Sequence, residues 1–299
     1  MRRAGIGLVG AKVTSERVRA CLLMTGLCTA VVPGLMAATP QNIQTFQTPQ
    51  ALLGAMITQE KDSAAHHERY EYVSIERSDR TGGHAWKERV VETSAGKVRM
   101  LLEVDGVPLT AAQEQQQRAK LAEIVAHPDE FSKTEAARMS DEAHARLMLD
   151  DLDKGFILEN VKLEDGVWHV DYRPNPSYSP NGIEERVLHG MSGWLAIDAK
   201  DLRLVHIEGK LPTDVSIGFG ILATIHAGSH FESDREFIDG HWRTVHVVTE
   251  IKGKAVLFKS VGRDSDLTRS DFHYLDPDIT LQQAVALVES PSSTTVAEK

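Results

Sequence analysis

Beyond residue 38 this sequence contains no cysteine. The two it has, Cys21 and Cys28, both lie near the N-terminus. From residue 39 onward, disulfides, thiolate metal sites and a cysteine nucleophile are therefore excluded. Catalytic signatures are missing as well. There is no His-Glu-x-x-His and no glycine-rich phosphate loop. Gly190-Met191-Ser192-Gly193 falls short of a hydrolase elbow, because Trp194 stands where the last glycine is needed. Positive charge is in deficit: 33 Lys and Arg face 43 Asp and Glu, a net charge of −10. Long apolar runs are nearly absent; one stands out, at residues 20–38.

That run follows a basic stretch containing Arg2, Arg3, Lys12, Arg17 and Arg19, and it ends in small residues. This order predicts a secretory signal peptide over residues 1–38, cleaved near Ala38. Its basic end stays inside while the apolar part enters the translocation machinery. A membrane anchor is the alternative, and Pro33-Gly34 interrupts it. Lipidation at Cys28 is disfavoured by Leu27 before it. The expectation is an exported protein, periplasmic or otherwise secreted, with no membrane span once the signal is removed. Cleavage takes away five basic residues and one acid, leaving a net charge of −14. Such acidity argues against nucleic acid and anionic membrane surfaces as partners.

The length after residue 38 allows one large β domain or two small ones, and a single domain over residues 39–289 is expected. A helix is expected over residues 49–67, where Leu52, Leu53, Met56 and Ile57 form a stripe at helical spacing. Three strands follow, near 70–77, 86–93 and 97–105, joined by short glycine-containing turns, as in an antiparallel meander. The third alternates: Val98, Met100, Leu102 and Val104 on one side, charged residues on the other. A helical insertion over 111–154 begins with Thr110 and Gln113 at capping-box spacing, is broken at His127-Pro128, and is closed by Gly155. Strands are then expected near 156–164, 167–174, 192–198, 202–211, 217–233, 241–252, 254–263 and 270–274. A proline-rich loop spans 174–185, a closing helix 279–289, and residues 290–299 read as a disordered tail. The fold class expected is α+β, mainly antiparallel β, with about eleven strands in a curved, unclosed barrel covered by helices.

The N-terminal helix, the three-strand meander and the segment Gly193-Trp194-Leu195-Ala196-Ile197-Asp198 followed by Leu202-Arg203-Leu204-Val205 resemble the LolA/LolB-like lipoprotein carriers and receptors of the periplasm. The resemblance implies an unclosed β-barrel covered by helices, with a hydrophobic cavity that holds acyl chains. The chain resembles an enlarged member, with a longer helical insertion. None of the carriers' functional arginines aligns to one residue here. What the resemblance implies is a non-enzymatic binder of a lipid, or of a lipoprotein's acyl chain, without a cofactor. A non-catalytic envelope interaction protein and a periplasmic hydrolase are the alternatives.

The thirteen histidines raise the question of metal. His226 and His230 are four apart on an expected strand, about 13 Å along its axis. They cannot chelate one ion by themselves, and no metal site is expected. The aromatic and apolar residues of the strands are the stronger candidates for ligand contact. Met100, Leu102, Trp168, Tyr172, Trp194, Phe219, Phe231 and Trp242 are expected to line a cavity or fill a core. Alternation alone cannot separate these two outcomes, since both need an apolar inner face.

Overall fold

The computed structural model describes residues 46, 48–66, 68–136, 152–217, 223–255 and 259–290. All belong to one compact unit, Gln41–Lys299. The expected signal at 1–38, with Cys21 and Cys28, lies outside the described residues. So do Phe219, the middle of the expected second insertion helix, and the tail from residue 291.

Three of the helices start where a side chain satisfies free N–H groups of the first turn. In α1 (Pro49–Ala65), Thr48 accepts from Ala51 N at 3.1 Å and Pro49 opens the first turn. The strands of the meander are β1 (Arg69–Ser78), β2 (Ala85–Thr93) and β3 (Gly96–Val104), followed by the two-residue β4 (Val107–Pro108). In α2 (Ala111–Ala126), Thr110 and Gln113 form the expected reciprocal box. Helix α3 begins at Pro128, which starts it rather than merely breaking the previous one, and its described residues from there are 128–136. Residues 152–155 are helical, and Gly155 leads into β5 (Phe156–Glu164).

The later strands are β6 (Val167–Pro174), β7 (Ser192–Asp198), β8 (Leu204–Lys210), β9 (Val215–Ile217), β10 (Ala223–Ile225), β11 (His230–Ile238), β12 (His241–Ala255) and β13 (Lys259–Leu275). Helix α4 (Ile183–His189) lies between β6 and β7, and α5 (Leu281–Glu289) closes the order. Thr280 and Gln283 cap α5 as Thr110 and Gln113 cap α2. Helix α5 buries Ala284, Val285 and Val288. Thr280→Ala therefore exposes orphan donors at the start of a core helix. It is expected to cost about 1 kcal/mol, read as a lower urea midpoint at unchanged m-value.

All pairings are antiparallel. Eleven strands form one path, β4-β3-β2-β1-β13-β12-β11-β8-β7-β6-β5, and β10 branches from β12 with β9 beside it. The path has two ends, so the sheet is open. The described residues form thirteen strands, eleven of them on this path against about eleven expected, and the differences in detail have local reasons. The segment expected as one strand at 217–233 is divided among β9, β10 and the start of β11, and Gly228 (φ +85°) supplies a turn before β11. Conversely, the expected strands 254–263 and 270–274 are one strand, β13. Its polar run from Asp264 to Ser270 stays extended because β1 pairs on one side and β12 on the other. The proline-rich loop also yields to α4, whose Val187 and Leu188 pack near Met191 and Leu211.

Register fixes which residues share a face. One row of directly paired residues runs Trp86, Glu76, Leu267, Val247, Ser233, Ile207, Leu195, Val170. The next row runs Lys87, Ile75, Thr268, His246, Asp234, His206, Ala196, His169, and points the other way. Helix α1 packs Leu52, Leu53, Met56 and Ile57 on the first face, against Leu158, Val170, Tyr172, Leu195 and Ile197. Helices α2 and α5 pack with Val91, Val98 and Met100, whose register places them on the second face. Helical cover thus lies on opposite faces at the two ends of the sheet.

Candidate functional site

The residues expected at a ligand site are divided among several places. Trp168 and Tyr172 join the α1 cluster, with Tyr172 fully packed and Trp168 at its margin. Phe231 belongs to a neighbouring cluster around Met191, Leu211, Ile217 and Ile225. It approaches Tyr172 over Gly209, where an added Cβ would lie 2.5 Å from both the Phe231 ring and the Tyr172 hydroxyl. These three share the first face. Met100 and Leu102 pack with α2 and α5, on the second face in the case of Met100. Trp194 also points to the second face, stacked between His169 (5.6 Å) and His206 (4.2 Å). Trp242 sits at the start of β12, its ring against Phe237 and its Nε1 donating to Asp201 at 3.2 Å. Tyr172 donates its hydroxyl to the Glu208 carbonyl at 2.7 Å, and burial, reinforced by the Glu208 charge, pushes that hydroxyl well above its ordinary pKa.

Between α1 and the tyrosine cluster of β1, the first face carries a half-buried apolar band. Val247 and Leu267 are its centre, and they belong to none of the packed clusters. Phe231 and Ile251 flank them and reach the neighbouring cluster. Sequence alternation hid this band, because Thr249 and Ser265 interleave with its apolar members on the same face.

A second feature sits where β12 and β13 part. Their ladder ends at His246↔Thr268, although β12 continues back to His241 and β13 on to Leu275. Irregularities stand at the parting: a register shift opposite Tyr72, with Asp271 left-handed at φ +54°, and another on β12 between His246 and Thr244. The wedge has a volume of about 240 Å³ and is lined by Tyr70, His241, Arg243, Phe272 and Tyr274 among others. Glu68 organises one wall. It accepts from the Tyr70 hydroxyl at 2.7 Å and from Arg243 Nη2 at 2.7 Å, and lies 2.9 Å from His241 Nδ1. The Arg243 guanidinium lies 3.2 Å from the Tyr70 ring centre. Its buried Nε has no hydrogen-bond partner. Burial pulls the Arg243 pKa down to about 10, against the opposing pull of Glu68, so it stays charged at neutral pH. Tyr274 is 55% exposed at the rim, stacked on His241. Sequence reasoning missed this site, since Glu68, Tyr70, Arg243 and Phe272 meet only through strand pairing.

The second face between β6 and β13 is lined with histidines and carboxylates. His206, Asp234 and His246 follow one another across three strands, with Asp266 next, and the contacts are 2.6, 3.5 and 3.0 Å. Glu208 and Glu232 stand directly opposite each other on β8 and β11, beside His206. Comparison of this chain with protein-family models, with curated proteins and with solved structures finds no match.

Proposed function

We propose that this chain is an exported, non-catalytic binding protein of LolA/LolB-like build, holding an acyl chain or similar apolar ligand on the first face of its sheet. The observation that carries the reading is the apolar band centred on Val247 and Leu267, half-buried and outside every packed cluster, alongside Phe231 and Ile251. It continues the surface on which α1 already packs, so a ligand there extends an existing core. Burial of a methylene is worth about 0.8 kcal/mol. A chain of a dozen carbons supplies roughly 10 kcal/mol before the cost of immobilising it, which is about 4 kcal/mol or more.

The test is titration with a fluorescent fatty acid, followed by displacement with an unlabelled one, and native mass spectrometry for copurified lipid. Saturable binding of one ligand per chain is expected. Val247→Asp and Leu267→Asp should each weaken it at least tenfold while leaving the circular dichroism spectrum intact. Absence of saturable binding, or equal binding by both variants, would sink the reading.

A second reading is favoured by the wedge between β12 and β13 and by the exposed rings of Phe237 and Tyr274 at that end of the sheet. Unpaired strand segments beside exposed aromatic rings suit an extended peptide of an envelope partner. Under that reading Tyr274→Ala, not Val247→Asp, removes binding.

A further inference from the structure

We propose that His206, Glu208 and Glu232 form a binding site for one divalent transition cation of the zinc class. The three residues come from two neighbouring strands. His206 and Glu208 are two apart on β8, so both point to the second face, and Glu232 stands across from Glu208 on β11. One ligand atom from each lies within 4.8 Å of the other two. A tetrahedral ion with bonds of about 2.0–2.2 Å needs its ligand atoms about 3.4 Å apart. Torsions of the two glutamates can close that gap, and the Glu208 side chain is nearly half-exposed.

Three features make this more than a group of charges. First, the imidazole is oriented. His206 Nδ1 lies 2.6 Å from Asp234 Oδ1, and a carboxylate oxygen only accepts, so the proton sits on Nδ1. That leaves Nε2 as the lone-pair nitrogen, the carboxylate–histidine arrangement found behind metal ligands. Asp234 is in turn approached by His246 at 3.5 Å. Second, Nε2 is buried without a hydrogen-bond partner, 3.9 Å from the Glu208 carboxylate. Trp194, stacked at 4.2 Å, holds the ring plane in place. Third, Glu208 and Glu232 form a like-charge pair directly across the ladder, which is destabilising without a cation between them. The Glu232 side chain makes no ion pair or hydrogen bond among the described residues. A nitrogen lone pair and two carboxylates converging on one point are satisfied together by a cation. One nitrogen and two oxygens with open positions suit zinc and its neighbours better than calcium, which takes six to eight oxygens.

The test is zinc binding by the purified chain, measured by calorimetry after chelator treatment, with cobalt absorption reporting the coordination. One zinc per chain is expected. Glu232→Gln and His206→Phe should each weaken binding at least a hundredfold, and Asp234→Asn ten- to a hundredfold. His226→Ala, a histidine outside the site, should leave binding unchanged. Glu232→Gln serves a second purpose because it is nearly isosteric. By relieving the Glu–Glu repulsion it should raise the melting temperature of the metal-free protein and abolish the rise that zinc produces in the parent. Zinc bound equally by the parent, Glu232→Gln and His206→Phe would show adventitious binding to other histidines and overturn the proposal. So would the absence of stoichiometric zinc in the parent.

Discussion

Replacing Glu60 with Gln should destabilise the fold by about 3–5 kcal/mol, the cost of breaking one side of a buried ion pair. Glu60 is on α1, and its side chain is only 11% exposed. It accepts from Arg203 Nε at 2.9 Å, from Arg235 Nη1 at 2.6 Å and from the backbone N–H of Leu204 at 3.1 Å. Both arginines are themselves largely buried. Without the carboxylate two cations are left close together in a dry site, and Arg235 Nε is already without a partner. The loss is a large share of the roughly 5–15 kcal/mol that holds a typical domain together. Urea unfolding at pH 7 reads it as a drop in midpoint. A change worth less than 1 kcal/mol would show that the cluster is not a keystone of α1 docking.

The same residue predicts a pH dependence. Burial by itself would raise the Glu60 pKa. The charge of Arg235 and the hydrogen bonds from Arg203 and Arg235 outweigh it, so the pKa lies below its ordinary 4.5. A depressed folded value means that this stabilisation is fully present above pH 4.5 and is lost as pH falls through the folded pKa. The stability gap between the parent and Glu60→Gln should therefore be constant near neutrality and narrow in acid below that point.

Gly193→Ala is expected to cost about 3 kcal/mol or more, at or beyond the upper end for overpacking. A Cβ there would lie 1.9 Å from the Glu208 carbonyl oxygen, 2.8 Å from its carbon and 3.0 Å from Gly209 Cα. All three are backbone atoms of β8, so no side chain can swing aside. Gly193 and Gly209 are paired across β7 and β8, and the close approach places Glu208 O where the Tyr172 hydroxyl donates to it. Forcing the strands apart breaks that bond and disturbs Leu195 in the α1 cluster. Gly54 on α1 provides the opposite case. Nothing lies within 4 Å of its missing Cβ, so Gly54→Ala should stabilise by about 0.5–1 kcal/mol through helix propensity. Differential scanning calorimetry of the two variants should show shifts of opposite sign, and a near-parental Gly193→Ala would contradict the close approach.

Much of the element order was legible locally. Thr110 and Gln113 marked a helix start that the capping geometry of α2 matches. The meander from Arg69 to Val104 was readable from its short turns and alternation. Failures came where tertiary pairing overrode local pattern. The run from Asp264 to Ser270 has no hydrophobic period of its own, yet two neighbouring strands keep it extended. Seven residues of α4 were hidden next to a proline-rich loop, because so short a helix leaves little periodic signal and depends on packing. The ligand-site expectations relied on aromatic residues sharing a strand parity, but parity within one strand does not say which distant strand supplies the other wall.

By itself the sequence determined where chain direction changes and which strand neighbours join as hairpins, because capping, turn chemistry and period-two alternation act over a few residues. It also determined the absence of cysteine chemistry after residue 38. Only the tertiary structure decided the pairings β1 with β13 and β8 with β11, and so which rows of side chains meet. Those pairings bring Glu60 to Arg235, Glu68 to Arg243, and His206 to Asp234. The partners are 175, 175 and 28 residues apart. Their meeting depends on which distant strands pair across the whole sheet, and nothing within a short window of sequence encodes that.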